Sequence, residues 1–190
     1  MKEDILEQLV EDYLISERYF TMANVKYGIG HQTDSDIDVI GFAPTSPNRP
    51  ILVVTCKSWQ SGFNIDKWEQ SISSRNRNGN MDCMKMRELA DPQWAAALGA
   101  TVQSLTGQKG FIHVTAVTKA IGGNNGDWTP GFKQKVRNDF ISYGYRVEAE
   151  ILSVSDILSA LYSRITSRLE PSLVGRLIQV IKASGWKGIC

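Results

Sequence analysis

The sequence is short of the residues that mark several protein classes. Its three cysteines, Cys56, Cys83 and Cys190, are an odd number without metal-site spacing. Neither a disulfide framework nor a zinc site is therefore expected, which suits a reducing compartment. Its two histidines, His31 and His113, stand singly with no metal-ligand partners around them. No apolar run approaches the ~20 residues that span a bilayer, so no membrane partner is expected. The opening stretch MKEDILEQLVEDYL is acidic and amphipathic, unlike a signal peptide or an Arg-rich transit peptide, and a cytoplasmic address follows as the expectation. Neither charge dominates: 21 Lys and Arg face 20 Asp and Glu, a net charge of +1. A nucleic-acid partner would have to be held by a local basic surface. There is no internal repeat and no low-complexity tract.

What is present is an ordinary globular composition, 42% hydrophobic and 22% charged over 190 residues, the size of one domain. Ile5, Leu6, Leu9, Val10, Tyr13 and Leu14 recur at helical spacing, predicting a first helix over Glu3 to Tyr19. A strand over Tyr19 to Gly30 follows, then a turn at HQTDSD, then strands over Ser35 to Phe42 and Ile51 to Gln60. Beyond Gly62 a helix capped by Asn64 runs toward Arg75. RNRNGN (Arg75 to Asn80) is a polar break, and MDCMKMRELA resumes a helical pattern. Asp91-Pro92 opens a helix to Gly107, and Gly110 to Ala120 reads as a strand. Thr129-Pro130 opens a helix closed by Gly144, and Tyr145 to Leu152 alternates as a strand. Ser155 caps a helix to about Ser167, and Pro171 starts a last helix toward Gly185. A strand meander followed by helical crossovers implies an α/β fold. Its mixed central sheet would have about five strands and flanking helices.

The informative stretches are SDIDVIGF (Ser35 to Phe42) and ILVVTCKSWQ (Ile51 to Gln60), joined by the Pro-rich APTSPNRP. The first is apolar with carboxylates at its start, and the second is a β-branched run that ends in a lysine. Side chains alternate along a strand, so Asp36 and Asp38 share one face and Thr55 and Lys57 another. If those faces coincide, two acids, a hydroxyl and an ammonium converge.

An acid in one strand, followed by a charged pair two residues apart at the end of the next, resembles the PD-(D/E)xK nuclease superfamily. The segments that carry the likeness are Asp36-Ile37-Asp38-Val39-Ile40-Gly41 and Val53-Val54-Thr55-Cys56-Lys57-Ser58-Trp59. The resemblance spans about Glu7 to Lys119. It implies a restriction-endonuclease-like core over residues 1–120, with residues 121–190 adding a C-terminal strand and helical decoration to the same domain. It also implies a metal-dependent endonuclease that hydrolyses phosphodiester bonds in DNA with Mg2+ or Mn2+, as a possible homodimer. Within it Asp38 matches the metal-binding aspartate and Lys57 the catalytic lysine. Glu7 matches an acid on the first helix, with Glu11 as an alternative. The backbone carbonyl of Cys56 would be a further ligand. Thr55 occupies the place of the family's glutamate, so the site is one carboxylate short. Asp36 and Glu69 are the two acids able to replace it, with neutral Gln60 a weaker candidate, and Thr55→Glu is expected to raise metal affinity.

The alternative is a catalytically degenerate module of the same fold that binds nucleic acid or a protein without cleaving. Plain readings stand beside the chemical ones. A lysine at a strand end often snorkels, and threonine suits a strand for its β propensity alone. Glu7 reads equally well as a helix-face acid. His31 is a loop residue and His113 a structural one. Trp59, Trp68 and Trp94 suit a core as well as base stacking. Arg75 and Arg77, Lys85 and Arg87, and Lys133, Lys135 and Arg137 form small basic groups, explained by solvated faces or by phosphate contacts.

Overall fold

The computed structural model describes residues 4–30, 32–46, 48–73, 86–164 and 173–184. In chain order the elements are α1 (Ile5–Ser16), β1 (Phe20–Ile29), β2 (Gln32–Phe42), β3 (Ile51–Lys57), β4 (Phe63–Asn64) and α2 (Ile65–Ser73). There follow a single 3-10 turn (Arg87–Leu89), α3 (Pro92–Thr106), β5 (Gly110–Val117), β6 (Ala120–Ile121), α4 (Pro130–Ile141), β7 (Arg146–Ser153), α5 (Val154–Arg164) and α6 (Leu173–Ala183).

Five strands form one sheet in the order β1-β2-β3-β5-β7. β1–β2 and β2–β3 pair antiparallel, whereas β3–β5 and β5–β7 pair parallel. The fold is thus α/β with a mixed sheet, and β7, from the C-terminal third, is one of its strands. Parallel neighbours need a crossover. Here α3 lies between β3 and β5, and α4 between β5 and β7. Both crossovers lie on one face, over a core that includes Ile40, Ile51, Val53, Trp94, Leu98, Phe111, Val136 and Phe140. The other face is covered by α1, α5 and α6 over Val39, Val54, Val114 and Ala116.

Local chemistry accounts for most boundaries. Asp4 caps α1 by accepting from Leu6 N at 2.8 Å. Leu6, Leu9, Val10 and Leu14 form its buried stripe, each such burial contributing ~1.5–3 kcal/mol. Asp91 and Thr129 cap α3 and α4, with proline in the first turn of each, because the missing proline N–H costs nothing there. Gly107 ends α3 at φ 74, a conformation that favours glycine.

Several expectations shift. β2 begins at Gln32, earlier than the expected Ser35, so most of the expected turn belongs to the strand. α5 begins at Val154, and Ser153 rather than Ser155 caps it. Asp156 N donates to Ser153 Oγ while Ser153 N donates to Asp156 Oδ2 at 3.0 Å, a reciprocal pair that satisfies both ends of the turn. Within MDCMKMRELA the described part is a 3-10 turn, and Cys83, Lys85 and the RNRNGN segment lie outside the described residues. The sequence did not announce the small parallel ribbon of β4 and β6, each only two residues long. No helix among the described residues is long and apolar enough to cross a membrane.

Candidate functional site

Asp38 sits where the strand pattern slips. Ile37 and Ile40 both face the α3 side, whereas Val39 faces α1. Strict alternation would put Ile37 and Ile40 on opposite faces. On β1 the register runs Ala23 opposite Val39 and Val25 opposite Ile37, leaving Asn24 and Asp38 unpaired, and Asn24 has φ 55. One residue on each strand is thus out of phase. The expectation that Asp36 and Asp38 share a face by simple alternation is corrected on this point. The Asp38 carboxylate turns toward β3, where Oδ2 accepts from the Cys56 amide at 2.5 Å. The β2–β3 ladder runs from Gly41 opposite Leu52 to Val39 opposite Val54, and the Asp38 side chain takes the next amide.

The surrounding charges explain the state of this carboxyl. Burial pushes the Asp38 pKa up, opposed by the Cys56 amide and the Lys57 ammonium and assisted by Asp36 and Glu88. Burial also raises Glu7, with Asp38, Asp4, Asp36 and Glu11 adding repulsion. Two carboxyls with raised pKa and a cation acting on one of them form an electrostatic centre that favours an added positive charge. Lys57 is half-buried at the last position of β3, beside Val117. Among the described residues no carboxylate forms an ion pair with it.

Glu7 reaches this centre because α1 is fastened to it. The capping residue Asp4 also accepts from Ser58 Oγ at 2.8 Å, which ties the start of α1 to the residue after Lys57. This clamp was not anticipated. Asp4 was visible as a polar residue before an apolar helical stripe, and Ser58 as part of the TCKSW run, but nothing in the sequence joined them. Burial, with the neighbouring acids, pushes the Cys56 thiol up, so it is a protonated core thiol and not a thiolate ligand.

The other candidates fall elsewhere. Thr55 is 6% exposed. It follows Val53 on the α3 side and pairs with Thr115 of β5, away from α1 and Glu7. Asp36 is exposed and bonded to Lys26 at 2.7 Å, though its charge still acts on Asp38. Glu69, expected as a replacement acid, is used in another way. Its two oxygens accept from Thr129 N at 2.8 Å and Thr129 Oγ1 at 2.7 Å, fixing the residue that caps α4. The main charges acting on Asp38 are those of Lys57, Asp36 and Glu88. Cys56 meets Asp38 through its backbone amide, a donor. Glu11 accepts from Thr21 Oγ1 at 3.2 Å, and Gln60 is exposed. Among the described residues no group of three or more His, Cys, Asp or Glu is placed to hold a metal ion.

The described members of the basic groups have partners within the protein. Lys133 pairs with Asp127, Lys135 with Asp139 and Arg137 with Glu148, while Arg87 stacks on Trp94 at 4.9 Å. His113 is fully buried, with Nε2 3.0 Å from Glu88 Oε1. Glu88 also accepts from the Tyr27 hydroxyl at 2.7 Å. Burial alone would raise the Glu88 carboxyl, but its bonds to His113 and Tyr27 outweigh burial and hold it below the usual range. His31, Arg75 and Arg77 lie outside the described residues.

Fold and site together define an α/β protein with a mixed five-stranded sheet and an acid-lysine centre where β2 and β3 meet. Compared with protein-family models, curated proteins and solved structures, the chain matches none.

Proposed function

We propose that this protein is a metal-dependent endonuclease of the PD-(D/E)xK kind, hydrolysing phosphodiester bonds in DNA. One observation carries the reading. Asp38 is held at the β2–β3 junction by the Cys56 amide, with the ammonium of Lys57 acting on it and Glu7 adding a second carboxylate from α1. With no three-residue cluster among the described residues, the donor set there does not suit an all-protein cage. It suits magnesium, which commonly takes one or two carboxylates and leaves the remaining positions to water and phosphate oxygens. A bound divalent ion would supply charge neutralisation and a more acidic water. Asp38 and Glu7 would hold it, and Asp36 would add long-range negative charge. Lys57 would contact the phosphate and stabilise charge that develops on its oxygens.

The non-cleaving module is the second reading, favoured by the burial of Thr55 and the commitment of Glu69 to Thr129. Nicking of supercoiled plasmid with magnesium or manganese separates the two. Metal-dependent nicking by the wild type, abolished in Lys57→Ala and Asp38→Ala, is the expected result. Equal silence of wild type and variants, with salt-dependent DNA binding retained, would transfer the protein to the second reading.

A further inference from the structure

Immediately after Lys57 the chain turns back on itself and builds an open cleft of about 390 Å3 lined by Trp59, Asn64, Lys67, Trp68, Ser71 and Ile121, among others. Its frame is rigid. Thr118 Oγ1 and Gly62 N both donate to the Trp59 carbonyl, and Phe63 N donates to Lys119 O at 2.7 Å. Gly62 has φ 82, and a Cβ there would lie 2.9 Å from Ile121 Cδ1, so only glycine lets the turn lie this close to β6. Phe63 is fully buried and stacks with the Trp59 indole at 5.5 Å and 22°. Trp59 remains half-exposed and is one of the residues lining the cleft.

We propose that this cleft receives an unpaired nucleobase of the nucleotide adjoining a phosphate at Lys57. The inference rests on the nuclease reading above and adds its substrate class, nucleic acid with a single-stranded or extruded base. Indole surfaces stack on any base, because every base has a π-face. Lys67 is exposed, and no carboxylate among the described residues forms an ion pair with it, so its ammonium is free to meet a neighbouring phosphate. Asn64 uses its carbonyl oxygen to cap α2 through Lys67 N at 2.9 Å, which turns its amide N–H2 into the group available for a base edge. The α-carbons of Lys57 and Trp59 are two residues apart, at most about 7 Å, so a phosphate at one and a base at the other fall within a single nucleotide's reach. A duplex keeps its bases stacked and withholds them from such a cleft.

The test measures binding of a fluorescent single-stranded oligonucleotide and of the same strand carrying abasic residues, without divalent metal. Wild type is expected to prefer the intact strand about tenfold, the size of one stacked base. Trp59→Ala removes that preference. Lys67→Glu, an exposed change, weakens binding to both strands and lowers the salt slope by about one. Equal wild-type affinity for the intact and abasic strands would overturn the inference, and that measurement needs no variant. A preference that survives in folded Trp59→Ala would overturn it as well. Base preference without plasmid nicking sinks only the catalytic reading, whereas nicking without base preference sinks only this one.

Discussion

The Asp38 carboxylate accepts the backbone amide of Cys56 at 2.5 Å, so a side chain of β2 takes the place of a backbone acceptor at the end of the β2–β3 ladder. The carboxyl is consequently held half-buried between two strands, with a raised pKa. An acid kept in such a place costs stability in its charged form, which is the usual trade at a functional site.

Asp38→Asn tests that cost. An amide oxygen still accepts from Cys56, while the charge is gone. Because the folded pKa of Asp38 is raised, its contribution is most favourable below the unfolded value of about 3.9 and is lost as pH rises through the folded value. Thermal melts should show the variant more stable than wild type at neutral pH, with the gap closing toward pH ~4. A variant less stable at neutral pH would mean that the charged Asp38 is a net structural asset.

Thr55→Glu restores the motif on paper, but Thr55 is 6% exposed and lies against Thr115. The Thr115 hydroxyl has no hydrogen-bond partner among the described residues and offers the new carboxylate one donor. That bond contributes about 1.5–3 kcal/mol, against a desolvation cost of several kcal/mol for a buried ion. Net destabilisation of at least ~1 kcal/mol is expected in urea unfolding. Unchanged stability with tighter manganese binding would show that position 55 opens toward Asp38 after all.

Glu88 is the structural counterpart of Asp38, buried but fully engaged. Its lowered pKa contributes stability that is present above the unfolded carboxyl value and disappears as pH falls through the folded one. His113→Phe removes the imidazole and leaves the carboxylate bonded to Tyr27, at an expected loss of about 3–5 kcal/mol. Adding Glu88→Leu should recover much of it, since an apolar replacement leaves no unpaired charge. A double variant no better than the single one would refute the account of a buried carboxylate held by its hydrogen bonds.

Gly99 lies within α3, where alanine would ordinarily gain about 1 kcal/mol. A Cβ at that position would stand 2.4 Å from the Tyr145 ring, and overpacking of that kind costs about 1–3 kcal/mol. Gly99→Ala is therefore expected to lower the melting temperature. The sign should reverse in a Tyr145→Ala background, where the helical preference acts alone. A stabilising single variant would show that the ring moves aside cheaply.

The sequence determined the parts whose causes are local. Asp91-Pro92 and Thr129-Pro130 begin helices because cap and proline satisfy the same few backbone groups, and the β-branched run after Pro50 extends because its side chains fit a buried strand. Asp38 and Lys57 stood out as charges where a core strand has none. Tertiary structure decided which charges meet. A matched slip at Asn24 and Asp38 is invisible to a period-two reading, since each strand alone looks regular. Glu69 went to Thr129, 60 residues away, and Asp4 to Ser58, 54 residues away, because strand pairing and crossover packing bring those groups together. Periodicity reports how a residue meets its immediate surroundings, whereas a carboxylate's partner is fixed only once the sheet has closed.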